Sequence, residues 1–406
     1  MNRDDVEGDI CTLAQLREDI ALTRDYAYFR TGSHAPVPRS TLRFVADRLQ
    51  EESGLALVAG SDHSTTFHQR AELARKTVAD FLGVSPVEVA WAYNTTSATR
   101  MGVRNLNWKA GDRLAITDTE HGSTRDLVQA LKELRGVKTT VIPSGDGPTF
   151  SPDYFLEQVD RLLTPDHRLL IMVHVSNIDG RRLPVMEAVR MAHDRGVKTL
   201  IDGAQSLGVF PVNVGEIGSD YYSGSVHKWL LGPAGIGFLI VNREQIPHFN
   251  PDFMPVPLDR DARNGKGGQL EASYFAEMGS PSFTLRMTAA RCVEVFQRLG
   301  LPQIERYMRE LSERLRDGLR DVKGVRLAGP YPWELSSAIT TIQLEDGSPE
   351  RCQELVDRLR EEYAIVVKFR PEICGIRISV AAFNSAEEVD RLLEALVCLV
   401  SAARHR

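Results

Sequence analysis

The chain has 406 residues, 42% of them apolar and 26% charged, with a formal net charge of −6. That length predicts two or three domains with a sizeable core, and that composition excludes a mostly disordered chain. No run of about 18 apolar residues is available for a membrane-spanning helix, and there is neither a basic field for nucleic acid nor a polybasic patch for a membrane surface.

The chain opens on MNRDDVEGDICTLAQLREDI, which is acidic and lacks the apolar core of a secretory signal. Residues 12–25 read as a short helix, and 38–53 and 64–83 as amphipathic helices. Strand-like runs then alternate with helical runs. EVAWAY (88–93) leads into a helix opening at Thr95 and Thr96, and RLAITD (113–118) leads into one near 124–135. KTTVIP (138–143) precedes a helix near 152–163, and RLLIMVHV (168–175) precedes one near 184–195. KTLID (198–202) is followed by DYYSGS (220–225) and IGFLIV (236–241). Apolar strands alternating with helices predict an α/β fold with a mostly parallel sheet covered on both faces.

The pattern changes near residue 285. Helical runs near 284–299, 302–321, 348–362 and 385–402 surround short strands near 336–343, 364–368 and 376–380, which predicts a smaller α+β domain. The Gly-, Pro- and Asp-rich stretch 250–269 before it reads as a surface loop. The five cysteines, Cys11, Cys292, Cys352, Cys374 and Cys398, are scattered and have no CxxC spacing. Neither a disulfide framework nor a zinc or other metal site is expected, and a reducing cytoplasm fits best.

Open parallel sheets bind ligands at the carboxyl ends of their strands. Polar residues gather there repeatedly: Asn94 to Ser97, Glu120 and His121, Ser176 and Asn177, Asp202 to Gln205, and Ser225, His227 and Lys228. Each alone could be a turn or a cap, but five such groups at one end of a sheet suggest a site. Thr95, Thr96 and Ser97 open a helix, whose free N–H groups suit an anion or simply an N-cap. Only nine of the 49 basic residues are lysines, so a lysine inside a motif carries weight. Lys228, in SGSVHKWLLGPAGIGF, is either a snorkelling surface residue or an amine whose pKa burial lowers for reaction with a carbonyl. Asp202 either caps the next turn or faces a protonated ring nitrogen. GPAGIG (232–237) precedes a strand and is not GxGxxG, so it is not a dinucleotide fingerprint.

Together these residues resemble pyridoxal-phosphate enzymes of fold type I, above all the class V aminotransferase group. That group includes cysteine desulfurases, isopenicillin N epimerase-like proteins and C–S lyases. The resemblance runs from YFRTGSHAPVP (28–38) to IRISVAAFNSAEEVD (376–390) and is strongest in IDGAQSLG…SDYYSGSVHKWLLGPAGIGFL (201–239). It implies a seven-stranded large domain over 31–283, a small C-terminal domain over 284–406, and an N-terminal segment 1–30 packed on the small domain. It implies pyridoxal 5'-phosphate as cofactor, with Lys228 as the lysine that holds it covalently and shuttles the proton at the substrate Cα. Asp202 matches the acid facing the pyridinium nitrogen, Gln205 and Asn177 the residues at the ring 3-oxygen, and His121 the imidazole stacked on the ring. Thr95, Thr96, Ser225 and His227 match the phosphate cradle. Ser280 matches a residue reaching the phosphate from the second subunit, which implies a homodimer with shared active sites. Arg377 matches the arginine that clamps the substrate α-carboxylate.

Two departures bear on the reaction. Desulfurases carry a nucleophilic cysteine on a mobile loop well before that arginine. Here the segment is VVKFRPEICGIRIS, and Cys374 stands three residues from Arg377, too close for such a loop. Persulfide chemistry is therefore disfavoured, and a shorter loop leaves room for a bulkier substrate. The family's Tyr-Asn pair is Phe383-Asn384 here. The expected activity is a C–S lyase, by β-elimination from a bulky S-substituted cysteine conjugate in natural-product or thiol metabolism. The alternatives are a decarboxylating or oxidative variant on a similar conjugate, an epimerase using Lys228 and a second acid such as His34 or Tyr274, and an aminotransferase. A regulator on this fold would append a basic DNA-binding module, and none is present.

Overall fold

The computed structural model describes residues 10–58, 61–248, 271–273, 281–345 and 347–402. A short strand β1 (Ala27–Tyr28) follows the N-terminal helix Leu13–Asp19. The large sheet is built from β2 (Val89–Ala92), β3 (Arg113–Thr117), β4 (Lys138–Ile142), β5 (His167–Val173), β6 (Lys198–Asp202), β7 (Tyr221–Ser225) and β8 (Gly237–Val241). Its order is β2-β8-β7-β6-β5-β3-β4, seven strands in all. Only β8 runs antiparallel to its neighbours, β2 and β7. This is the mostly parallel, helix-covered sheet that the sequence predicts.

Consecutive residues of these strands enter different cores. Leu170, Met172, Ile201 and Phe238 join one apolar cluster, while Leu169, Ile171, Leu200 and Leu239 join another. A strand buried on both faces shows as a continuous apolar run, which is how these strands read. Chain order reverses at β3: β4 lies on one side of it and β5 on the other. A crevice opens at such a switch point, outside the carboxyl ends of the strands.

The second sheet comprises β9 (Val325–Leu327), β10 (Ile339–Leu344), β12 (Lys368–Arg370) and β13 (Gly375–Ser379), with β11 (Ile365–Val366) lying between β10 and β12 in sequence. Its order is β12-β13-β10-β9, all antiparallel. β11 pairs instead with β1, in parallel, so the start of the chain is stitched to a strand near its end. Leu315, Ile342, Ile376, Leu392 and Leu396 form its core, joined by Ala27 and Phe29. Helix Phe283–Leu299 packs its Ala289, Val293 and Phe296 into the cluster beneath the large sheet.

Three expectations change in detail. The helix predicted over 12–25 stops at Asp19, because Ile20 turns extended and inserts fully into the core; a 3-10 turn, Ala21–Arg24, follows. The strand predicted over 364–368 is two strands, β11 and β12, which pair with different partners. β10 begins at Ile339 and not near 336, because Ser336 and Ser337 bond to a buried guanidinium, that of Arg316.

Arg316 is 1% exposed and donates to Thr340 Oγ1 at 3.1 Å, Tyr331 O at 3.0 Å and Ser336 Oγ at 2.8 Å, as well as to Ser337 O. Burial pushes its pKa down to about 10. Arg316→Met leaves those acceptors buried and unpaired, and should cost about 3 kcal/mol of unfolding free energy in urea titrations. A loss below about 1 kcal/mol would show that this network does not hold the second sheet in place.

Candidate active site

A cavity of about 410 Å³ lies at the carboxyl ends of β3, β5, β6 and β7, closed from the other side by β12 and β13. Asp202 ends β6 and is 7% exposed; its Oδ1 accepts from the Ala204 N–H at 2.9 Å. The next residue must be glycine, since a Cβ on Gly203 would overlap the Tyr222 ring. That ring is fixed in turn: its hydroxyl meets His174 Nδ1 at 3.0 Å and Ser206 Oγ at 2.8 Å, and Ser206 Oγ donates to Gly203 O at 3.0 Å. Lys228, just beyond β7, lines the same cavity. Burial pushes its pKa down to about 8; Asp202 opposes the shift, and Arg377 and Arg370 add to it.

Asn94 caps helix Thr95–Arg104, its Oδ1 accepting from Ser97 N at 2.9 Å. The helix thus begins at the cavity with Thr95 and Thr96 in its first turn. His121 caps helix Gly122–Arg135; its Nδ1 accepts from Ser123 N at 3.2 Å, and Ser123 Oγ lies 3.1 Å from Thr96 Oγ1. Burial, then the charge of Lys228, lowers the His121 pKa. A neutral ring accepting at Nδ1 carries its proton on Nε2. Gln205 is held from both ends of its amide: Nε2 donates to Gly32 O at 2.9 Å, and Oε1 accepts from Trp229 Nε1 at 2.8 Å. His227 lies 5.5 Å, ring to ring, from His34, and burial pushes its pKa down to about 4.

Arg377 is 1% exposed and donates through NH1 to Asn177 O at 2.9 Å and through NH2 to Ser33 Oγ. Burial pushes its pKa down to about 9, and Arg370 and Arg30 add to the shift. Lys368 and Arg370 of β12 also line the cavity. Sequence reasoning missed both, together with Ser33 and Trp229. The signal was present: Lys368 and Arg370 alternate about Phe369, which puts them on one face of a strand.

The structure therefore brings Thr95, Thr96, His121, Asn177, Asp202, Gln205, His227, Lys228 and Arg377 to one cavity. Ser225 is buried at the end of β7, next to it in sequence but not among its lining residues. His34 sits behind His227 and does not line it. Ser280 and Tyr274 lie outside the described residues. Thr95 Oγ1, Asn177 Oδ1, Ser225 Oγ and His227 Nδ1 are buried without a hydrogen-bond partner. Each such atom costs about 1–3 kcal/mol unless something meets it. A helix N-terminus, two hydroxyls, an amide and an imidazole fit a phosphorylated, hydroxylated pyridine, and Lys228 and Asp202 fit its aldehyde and ring nitrogen.

Glu120 lies under this floor, fully buried. Its Oε1 accepts from Thr117 Oγ1 at 2.5 Å and Val173 N at 2.8 Å, while Oε2 has no partner. Burial raises its pKa from 4.5 to about 8, and the charge of Asp202 adds to the rise. Between those values the folded carboxyl keeps a proton that the unfolded one has lost, so this group lowers stability as pH rises through that window. Glu120→Gln removes the titration. Its melting temperature relative to the parent should climb from pH 4.5 to pH 8 and then level off. A difference that stays flat across the window would rule out a protonated Glu120.

The aminotransferase class-V family profile matches residues 27–392. The isopenicillin N epimerase of Amycolatopsis lactamdurans is 28% identical over 94% of this chain and 97% of its own length. A probable cysteine desulfurase of Methanothermobacter thermautotrophicus is 25% identical over 94% of this chain and 96% of its own. Among solved structures, the apo cysteine desulfurase of Thermococcus onnurineus superposes with a TM-score of 0.82 at 25% identity, covering 95% of this chain and 98% of that one. The cystine C–S lyase C-DES, in complex with cysteine persulfide, shares the fold at a TM-score of 0.81 and 22% identity, over 92% of this chain and 97% of that one. No helix among the described residues is long and apolar enough to cross a membrane. With a family match over most of its length and a cavity that fits the cofactor, the chain belongs to the aminotransferase class-V family of pyridoxal 5'-phosphate enzymes of fold type I, which act on amino acids.

Proposed function

We propose that this enzyme is a C–S lyase that eliminates a thiol from an S-substituted cysteine, the remaining three-carbon fragment then taking up water to give pyruvate and ammonia. The observation that supports this reading is the segment before Arg377. It runs from β12 through a single 3-10 turn, Pro371–Ile373, straight into β13. Cys374 sits at φ 46°, its thiol 3.9 Å from Pro371 O, and is not among the cavity-lining residues. An elimination needs no cysteine nucleophile. It needs a base at Cα and room for the sulfur substituent.

In this reading pyridoxal 5'-phosphate, when bound, draws electrons from the substrate Cα and so acidifies its proton. Lys228 holds the cofactor and moves the Cα proton, a task suited to an amine whose pKa lies near 8. Asp202 holds a proton on the pyridine nitrogen. Gln205 and Asn177 orient the ring edge, and the neutral His121 lies on its face. Thr95, Thr96, Ser225 and His227 hold the phosphate, with Ser280 of a second subunit completing the grip in a homodimer. Arg377 clamps the α-carboxylate in a planar fork. We further propose segments 1–30, 31–283 and 284–406 as N-terminal, large and small units, a bulky conjugate as substrate, and a place in cytoplasmic thiol or natural-product metabolism.

Epimerisation is the second reading, favoured by the full-length match to isopenicillin N epimerase. It requires an acid on the ring face opposite Lys228. The purified enzyme should show a visible band that borohydride bleaches, absent in Lys228→Ala, and that variant should lose activity by at least about 10³-fold. Pyruvate and thiol released together from S-alkyl cysteines would uphold the lyase. Solvent deuterium entering Cα without pyruvate would replace it with the epimerase.

A further inference from the structure

Among the described residues lining the cavity, Lys228, Lys368, Arg370 and Arg377 are cations and Asp202 is the carboxylate. Three of the cations stand on one two-stranded ribbon. Lys368 of β12 is the register partner of Arg377 of β13, and Arg370 is the partner of Gly375. Side chains two apart on a strand share a face, and directly opposed like charges destabilise a sheet. The burden is visible in each group: burial, reinforced by neighbouring cations, lowers the pKa of Lys368 and of Arg377, and burial with Arg125 lowers that of Arg370. Glu372 relieves part of it, accepting from Arg370 NH2 at 3.1 Å. Arg370 Nε remains buried with no partner, and Lys368 has no ion pair among the described residues. One substrate α-carboxylate answers Arg377. Nothing in an α-amino acid with a neutral side chain answers the other two.

We propose that the substrate carries a second anionic group, a carboxylate on the sulfur substituent, and that Arg370 with Lys368 is its receptor. This rests on the reading of the cavity as an amino-acid site with Arg377 at the α-carboxylate. The rows Lys368–Arg377 and Arg370–Gly375 are two residues apart along the ribbon, about 7 Å. That spacing suits two carboxylates separated by a thioether of a few bonds, as in S-(carboxymethyl)cysteine or S-(2-carboxyethyl)cysteine. The neutral amide S-(carbamoylmethyl)cysteine has nearly the same shape and cannot answer the charge.

The test is a spectral titration of the cofactor-loaded enzyme with the acid and its neutral amide, which reads binding whichever bond later breaks. The acid should bind at least about tenfold more tightly, and Arg370→Gln should collapse that ratio towards one. Equal binding of acid and amide by the parent enzyme overturns the proposal while leaving the amino-acid site intact. So does an Arg370→Gln variant that keeps the ratio but sheds its cofactor on dialysis, since the cation would then serve the cofactor phosphate. No spectral response to either amino acid, in an enzyme with its visible band, overturns the reading of the cavity itself and this proposal with it.

Discussion

One buried guanidinium reaches across the walls of the cavity. Arg377 rises from the second sheet, yet its hydrogen bonds go to Asn177 of the loop after β5 and to Ser33 of the segment after β1. Removing this charge from water costs several kcal/mol, and acceptors in good geometry offset it. The bond to Asn177 ties the second sheet to the loop after β5, beside those from Thr341 Oγ1 to Ile178 O and from Ser337 Oγ to Gly180 O. The two bonds of Arg377 leave its Nε unmet, so the same side chain that joins the walls keeps a free donor between them.

The remaining electrostatics follow from burial. Charges on side chains buried in the cavity wall act over a lower dielectric than in water. Glu120 stays protonated through neutral pH, which leaves Asp202 as the negative charge facing Lys228. Burial drives the Lys228 pKa down to about 8, against the pull of Asp202 and with the help of Arg377 and Arg370. His121 and His227 are driven the same way, towards neutral rings, by burial and by the charge of Lys228.

Much of this was legible in the chain, for a physical reason. The central strands β5, β6 and β8 of the large sheet are buried on both faces and show as apolar runs, so the residues following β5 and β6 stand at the carboxyl edge. Asp202 and Asn177 could be placed by that logic. The second sheet was harder. β9 has three residues and β1 and β11 two each, too few to show a period. The alternation of Lys368 and Arg370 about Phe369 puts them on one face, but a cation on a short strand looks like a solvent-facing residue, and the register with Arg377 is what shows which face that is. Ser33 and Trp229 act through contacts that no local pattern encodes, since their partners are remote in the chain.

The pairing of β1 with β11 sets an order of events in the cell. Ser33 and Arg377 are 344 positions apart, and Asn177 and Arg377 are 200 apart. Domains emerge from the ribosome N-terminus first, and contacts of such separation form late. Every strand of the large sheet precedes β13 in the chain, although Ala381, Ala382 and Phe383, just after it, join the core beneath that sheet. A chain truncated before β13 would lack the wall that carries Arg377 and would leave Lys228 less buried, with less of the burial that lowers its pKa. The last strand of the chain thus completes the cavity that its first strands frame.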